Sequence, residues 1–407
     1  MKETRQAPLL PRGGVCFVAP FAYSLFIPSS NAKFGGAEVR ASYWAHGLAE
    51  AVKGRIGVMV MNHGQPQRMG VGPIEFHSFL PEDTESRSLA ARRHGLLRWW
   101  WQKRAKRAPA EVREFFLEPN RLTAYMAARA GLYVGFGVND WTAELAAFCR
   151  TVGRPLVLSV ASDEDLSDSY RPGNTSLNSY FSRADRCHFA LTQASRLIVQ
   201  TPRQQEMARS RFGIEATVIA NPCPADTAPI VEASSPPRVV WIGRADRVKQ
   251  PQLFARLATA VPDATFEMVM NPSLAEIAEA VRSGAPPNLT IIDALPRASI
   301  RDFMRGATAL VNTSVFEGFP NTFLEAWSLG IPVVSLGADP NGALEQHGCG
   351  LCASGDPDAL IAGLGRLLAD RPFRDACGRR ARDYVETHHG MAPAIAGLIE
   401  VIAATRC

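Results

Sequence analysis

Apolar runs of five to seven residues alternate along this chain with segments whose apolar positions recur at helical spacing, the pattern of βαβ units around parallel sheets. The alternation happens twice. In the first half the runs that predict strands are Val15 to Pro20, Arg55 to Met61, Ile74 to Leu80, Tyr133 to Gly137, Pro155 to Ala161, Arg196 to Thr201 and Ala216 to Ala220. In the second half they are Val239 to Gly243, Phe266 to Met270, Leu289 to Leu295, Ala309 to Thr313 and Pro332 to Leu336. Residues 223–237 between them, rich in Pro, Ala and Ser, predict a linker. The expected organisation is α/β with two Rossmann-like, doubly wound domains, 1–222 and 238–385, and a final segment 386–407 carrying a last helix from Pro393 to Ala404. In such sheets ligands bind outside the carboxyl ends of the strands.

Composition changes this picture little. A chain of 407 residues exceeds what one hydrophobic core usually serves, and 46% hydrophobic with 20% charged residues is ordinary for a soluble globular protein. The apolar stretch from Val15 to Ile27 contains Pro20 and lacks a small-residue cleavage pattern, so it predicts a core strand rather than a signal peptide, and a cytoplasmic location is expected. Eight scattered cysteines do not form a disulfide framework. The one C-x-x-C, Cys349 to Cys352, reads as buried strand, with no second pair to make a zinc site.

The chemistry concentrates near Phe316-Glu317-Gly318-Phe319-Pro320-Asn321-Thr322-Phe323-Leu324-Glu325. A buried strand precedes it, and Asn321 or Thr322 is the expected N-cap of a helix that Gly330 and Pro332 end. Glu317 then lies in the loop and Glu325 about one turn into the helix. Backbone N–H groups converging at that helix start suit a diphosphate, while a carboxylate on either side suits hydroxyls. Together they fit a nucleotide sugar; the bland alternative is two solvated glutamates on an ordinary αβ unit.

These residues resemble the E-x7-E signature of family-4 retaining glycosyltransferases, and the resemblance, weaker in the first half, covers most of the chain. It implies the GT-B architecture, two domains facing a cleft, with the last helix crossing back to brace the first domain. Val239 to Arg244, ending in Gly243-Arg244, with Lys249 shortly after, is similar to the family's strand whose Arg and Lys neutralise the donor diphosphate. By the same resemblance Glu317 holds sugar hydroxyls near the reacting carbon. Gly318, Phe319, Asn321 and Thr322 offer backbone donors, Glu325 binds the ribose diol, and the Gly35-Gly36 loop faces the donor phosphates and acceptor. Retaining transfer on this fold needs no enzymic nucleophile, because the leaving diphosphate can take the acceptor's proton. No metal or other cofactor is expected. Where many relatives carry a histidine after the fourth and fifth strands, this chain has Asn139, Asp140, Ser162 and Asp163, which become the candidates for positioning the acceptor. Asp163-Glu164-Asp165 superficially matches a metal-binding D-x-D but reads as loop acidity.

Charge is uneven. Residues 92–107 hold seven of the 44 Lys and Arg and no acid, leaving 37 basic against 39 acidic residues elsewhere. Trp99, Trp100 and Trp101 among those cations resemble an interfacial anchor for an anionic membrane, the alternative being an ordinary helix packed in the first domain. No nucleic-acid motif accompanies the net charge of +5, so nucleic acid is not an expected partner. The resulting expectation is a membrane-peripheral glycosyltransferase that moves a sugar from a nucleotide-sugar donor to a glycan, in particular a lipid-linked one, in bacterial surface polysaccharide synthesis. Two alternatives stay open: a catalytically silent nucleotide-sugar-binding protein, and a nucleotide-sugar epimerase or hydrolase on the same fold.

Overall fold

The computed structural model describes residues 10–27, 30, 34–79, 95–116, 119–315 and 317–405. Phe316, Arg92, Arg93 and Cys407, which belong to the patterns above, lie outside them. The chain divides into two compact units, one from Met1 to Ala220 together with Met391 to Cys407, the other from Asn221 to Gly390.

The first unit is built on strands β1 (Val15–Val18), β2 (Ile56–Val60), β3 (Arg68–Val71), β4 (Ile74–Ser78), β5 (Leu132–Phe136), β6 (Leu156–Ser159), β7 (Arg196–Val199) and β8 (Ala216–Val218). Their order is β3-β4-β2-β1-β5-β6-β7-β8. All pairs are parallel except β3 with β4. The central strands β1, β2, β5 and β6 are buried at every position, as a sheet covered on both faces requires. Strand β3 was not anticipated. It is a four-residue edge strand in which exposed residues alternate with the partly buried Met69 and Val71, so it leaves no apolar run to read.

The helix Met391–Ala404 belongs to this unit's core, with Ile395, Leu398, Val401 and Ile402 packed among Phe17, Trp44 and Leu48. Its approach to the helix Gly36–Ala51 explains Gly47, where a Cβ would fall 2.6 Å from Ile395. Trp101 lies in a second cluster of the same unit, fully buried against Tyr125 and Phe148.

The second unit carries β9 (Arg238–Arg244), β10 (Thr265–Asn271), β11 (Leu289–Ile292), β12 (Ala309–Asn312), β13 (Val333–Ser335) and β14 (Gly350–Cys352), all parallel, in the order β11-β10-β9-β12-β13-β14. Cys349, buried, and Cys352, partly buried, are free thiols at the lead-in and the end of β14. Residues of the expected linker are tied to this unit: Asp226 pairs with Arg305, and the Ser234 N–H donates to Gly306 O. Each sheet reverses its strand order once, between β1 and β5 in the first and between β9 and β12 in the second. Those reversals open the crevices where doubly wound sheets bind ligands.

Candidate active site

At the carboxyl end of β9 the chain leaves the sheet through Gly243 and Arg244 and turns at Asp246. Oδ1 of Asp246 accepts the N–H groups of Val248 (3.0 Å) and Lys249 (2.9 Å), and Oδ2 holds Arg244 Nη2 at 3.1 Å. One carboxylate thus shapes the turn and orders both cations. Glycine is required at 243 because a Cβ would come within 2.8 Å of the Trp241 ring, which is itself fixed by Nε1 donating to Thr313 Oγ1.

Across the β9/β12 crevice, the Lys249 ammonium is paired with Glu317. The carboxylate also accepts from Ser314 Oγ (2.6 Å) and Asn312 Nδ2 (3.3 Å). Burial pushes the Glu317 carboxyl up, but the Lys249 charge and these hydrogen bonds outweigh it and hold the group below its usual range, so it is ionised at neutral pH. All three contacts land on Oε1. Among the described residues Oε2 is left to accept from a ligand.

The helix Asn321–Ser328 begins beside this pair. Its N-cap is Pro320 rather than Asn321 or Thr322, because Pro320 holds the extended conformation of a cap and the helix already starts at Asn321. The cap supplies no side-chain acceptor to the first turn, and the Phe323 N–H turns back to Pro320 O at 3.1 Å. The far end closes as a Schellman motif, with Ile331 N–H to Ala326 O and Gly330 N–H to Trp327 O, both 2.9 Å, and Gly330 at φ 74°. Gly318, Asn321 and Thr322 are half-buried, and the Phe319 side chain is buried in the core of this unit.

Glu325 stands differently from expectation. It is 3% exposed and ion-paired with Arg297, from the turn after β11. The Glu325 carboxylate is thus held by an arginine.

In the first unit, Gly35 caps the helix Gly36–Ala51 in extended backbone, and its N–H is held by Glu38 Oε2 at 2.9 Å. Asn139 caps the helix Asp140–Val152, accepting Thr142 N–H at 3.1 Å, so its side chain has a structural occupation at the β5 end. Asp140 pairs with Arg186 at 2.7 Å and accepts Arg183 N–H; burial raises its pKa against those interactions. Asp163 accepts from Gln204 at 3.1 Å, and Ser162 is buried, its hydroxyl without a partner among the described residues. Asp165 is not surface acidity. It is 2% exposed, pushed up to about 6 by burial, and accepts the N–H groups of Ala161 and Ser162.

Trp99, Trp100 and Trp101 are not equivalent. Trp101 is wholly buried and Trp100 is partly buried against it, whereas Trp99 is 55% exposed with Lys103 Nζ 4.0 Å over its ring. Successive helical residues point about 100° apart, so three in a row cannot share a face. Trp101 is thus core, not an anchor.

His389, which the sequence places at a helix end where a polar or positive residue suits the dipole, is 1% exposed, and its Nδ1–H donates to Asn221 O at 2.8 Å. Burial depresses its pKa to about 4. The unfolded imidazole takes up a proton below about 6.5 and the folded one only below about 4, so stability is lost as pH falls through that window, by about 1.4 kcal/mol per pH unit at most. Denaturant melts of wild type and His389→Phe at pH 7 and pH 4.5 check this. The wild type should lose more stability between the two, and an equal loss in both proteins contradicts the assignment.

Residues 236–370, most of the second unit, match the model of the family described as glycosyl transferases group 1. Over 192 residues, 44% of the chain, the sequence is 29% identical to the lipopolysaccharide 1,6-galactosyltransferase of Salmonella typhimurium, covering 49% of that protein. Over 142 residues, 35% of the chain, it is 25% identical to glycosyltransferase 1 domain-containing protein 1 of Xenopus tropicalis, covering 38% of it. The chain spans half or less of the length of these curated relatives. Among solved structures it resembles sucrose-phosphate synthase from Thermosynechococcus elongatus, with a TM-score of 0.69, 15% identity, and 96% of this chain covering 98% of that one. It also resembles WaaG, a glycosyltransferase involved in lipopolysaccharide biosynthesis, with a TM-score of 0.64, 15% identity, and 95% against 99% coverage. At such identities the likeness establishes the fold, the two-domain α/β architecture of GT-B glycosyltransferases.

Proposed function

We propose that the protein is a retaining glycosyltransferase that transfers a sugar from a nucleoside-diphosphate donor to a glycan of lipopolysaccharide type, carried on a lipid. The observation that supports it most is the Lys249–Glu317 pair at the carboxyl ends of β9 and β12, beside the start of the helix Asn321–Ser328. Lys249, Arg244 and the helix amides present positive charge to a leaving diphosphate, and Oε2 of Glu317 accepts from sugar hydroxyls. Glu325 and Arg297 act as a unit, with Arg297 orienting the carboxylate toward the ribose. Asp140 and Asp163 are the acceptor-side candidates whose carboxylates are partly exposed.

The names of its relatives support this reading. One acts on lipopolysaccharide, WaaB is a lipopolysaccharide outer core galactosyltransferase, and a pneumococcal O-GlcNAc transferase has been seen with UDP and GlcNAc. The direct test incubates nucleotide sugars with and without core-oligosaccharide acceptors and follows nucleoside diphosphate release and the anomeric configuration of the product. Acceptor-dependent release with retention supports the proposal. Turnover without acceptor indicates an epimerase or hydrolase, and binding without turnover a silent binding protein.

Transfer is also proposed to be independent of metal, since two cations and a helix start offset the diphosphate charge. Activity should survive excess chelator, while Arg244→Ala should lower kcat by about 100-fold, the scale for losing one charge-stabilising donor. Loss of activity in chelator with rescue by manganese or magnesium would sink this point. No helix among the described residues is long and apolar enough to cross a membrane. A cytoplasmic site of action at the membrane surface, reached through Trp99 and the exposed Lys103, Arg104, Lys106 and Arg107, is part of the proposal.

A further inference from the structure

The phosphate end of the site contains two oxygen acceptors that would repel a diphosphate. Residue 320 is proline, so the Phe319–Pro320 peptide has a carbonyl and no N–H. The Asn321 side chain adds a second carbonyl oxygen in the first turn of the helix. Both are engaged by one group: Asn221 Nδ2 donates to Phe319 O at 2.9 Å and to Asn321 Oδ1 at 3.4 Å. Asn221 is 3% exposed, about 100 residues before the loop in sequence, and is the first residue of the second unit.

Asn221 is itself held at the other end of that unit. His389 donates from Nδ1 to Asn221 O at 2.8 Å, its carbonyl accepts Cys223 N–H at 2.8 Å, and its ring lies 4.4 Å from the Phe319 ring. The imidazole tautomer is fixed by these contacts, since a carbonyl can only accept, and Nε2 is buried with no partner among the described residues. The two segments where the chain enters and leaves the second unit are thus clipped to each other and to the donor loop.

We infer that Asn221 and His389 are positioning residues for donor binding: Asn221 sequesters the Phe319 and Asn321 oxygens so that neither faces the diphosphate, and His389 fixes Asn221. The inference rests on the donor site proposed above. It makes a charge-specific forecast that a packing role does not. Asn221→Asp keeps the shape but replaces the donor with a carboxylate facing two oxygens and the diphosphate. Asn221→Ala merely removes the donor.

Affinities for UDP, ADP, GDP and the matched nucleosides, measured by calorimetry on the full chain, separate the possibilities. Asn221→Ala should weaken the preferred nucleoside diphosphate about tenfold, the effect of one net hydrogen bond, and Asn221→Asp more than that, while the bare nucleoside changes little in either. His389→Asn, whose amide can replace Nδ1–H, should bind better than His389→Ala. Should Asn221→Asp fail to fold, the Asn221→Ala and His389 variants carry the same nucleoside-against-diphosphate comparison. Wild-type binding of no nucleoside diphosphate would overturn the functional reading itself. Wild-type binding that Asn221→Asp retains, or a parallel loss of nucleoside and diphosphate affinity in the variants, would overturn the positioning role alone.

Discussion

Glu317→Gln should reduce turnover by about 100-fold or more while leaving nucleoside diphosphate affinity nearly unchanged, because removal of a group that stabilises charge only along the reaction costs rate and not ground-state binding. The substitution is nearly isosteric, and Asn312 and Ser314 remain to hold an amide oxygen at the place of Oε1. What is lost is the charge facing Lys249 and the anionic character of Oε2. Single-turnover rates and diphosphate affinity on the same preparation decide the matter. Unchanged turnover, or a loss of diphosphate affinity as large as the loss of rate, contradicts the assignment of Glu317 to the sugar side. Glu325 does not offer an equally clean experiment. Removing its carboxylate strands Arg297 with one partner fewer in a largely buried place, and breaking such a pair costs roughly 3 to 5 kcal/mol of stability, which would confound an affinity measurement.

The parallel strands were legible because strands covered on both faces are continuous apolar runs, and β1, β5 and β12 are buried at every position. The Glu317 loop was legible for a related reason: a buried strand, a short loop and a helix ended by Gly330 leave few other geometries. What escaped depends on partners far away in sequence. Nothing near Glu325 announces Arg297, 28 positions earlier, and the bond from His389 to Asn221 spans 168 residues. Asn139, read as an acceptor contact, is also a cap residue three positions before Thr142, and the cap is what the fold uses. Asp246, two residues after Arg244, carries no motif that marks it, though it pairs with Arg244 and accepts the Lys249 N–H.

Trp101→Ala should destabilise the protein by about 3 to 5 kcal/mol, the range for truncating a large aromatic in a packed core, whereas Trp99→Ser should leave the thermal midpoint nearly unchanged. The contrast follows from burial, since Trp101 is fully enclosed with Phe148 and Tyr125 nearby, and Trp99 is 55% exposed under a lysine. The same pair of variants bears on the membrane. Near an anionic surface each cation contributes about 1 kcal/mol, screened by salt, so Lys103, Arg104, Lys106 and Arg107 supply a salt-sensitive attraction and Trp99 a salt-insensitive one. Co-sedimentation with anionic vesicles at low salt should therefore be strong for wild type, weaker for Trp99→Ser and weak in high salt for both, with neutral vesicles as control. A wild type that ignores anionic lipid at low salt removes the membrane role. A Trp101→Ala variant as stable as wild type would instead contradict the burial of that indole, and with it the division of the tryptophans into one anchor and one core residue.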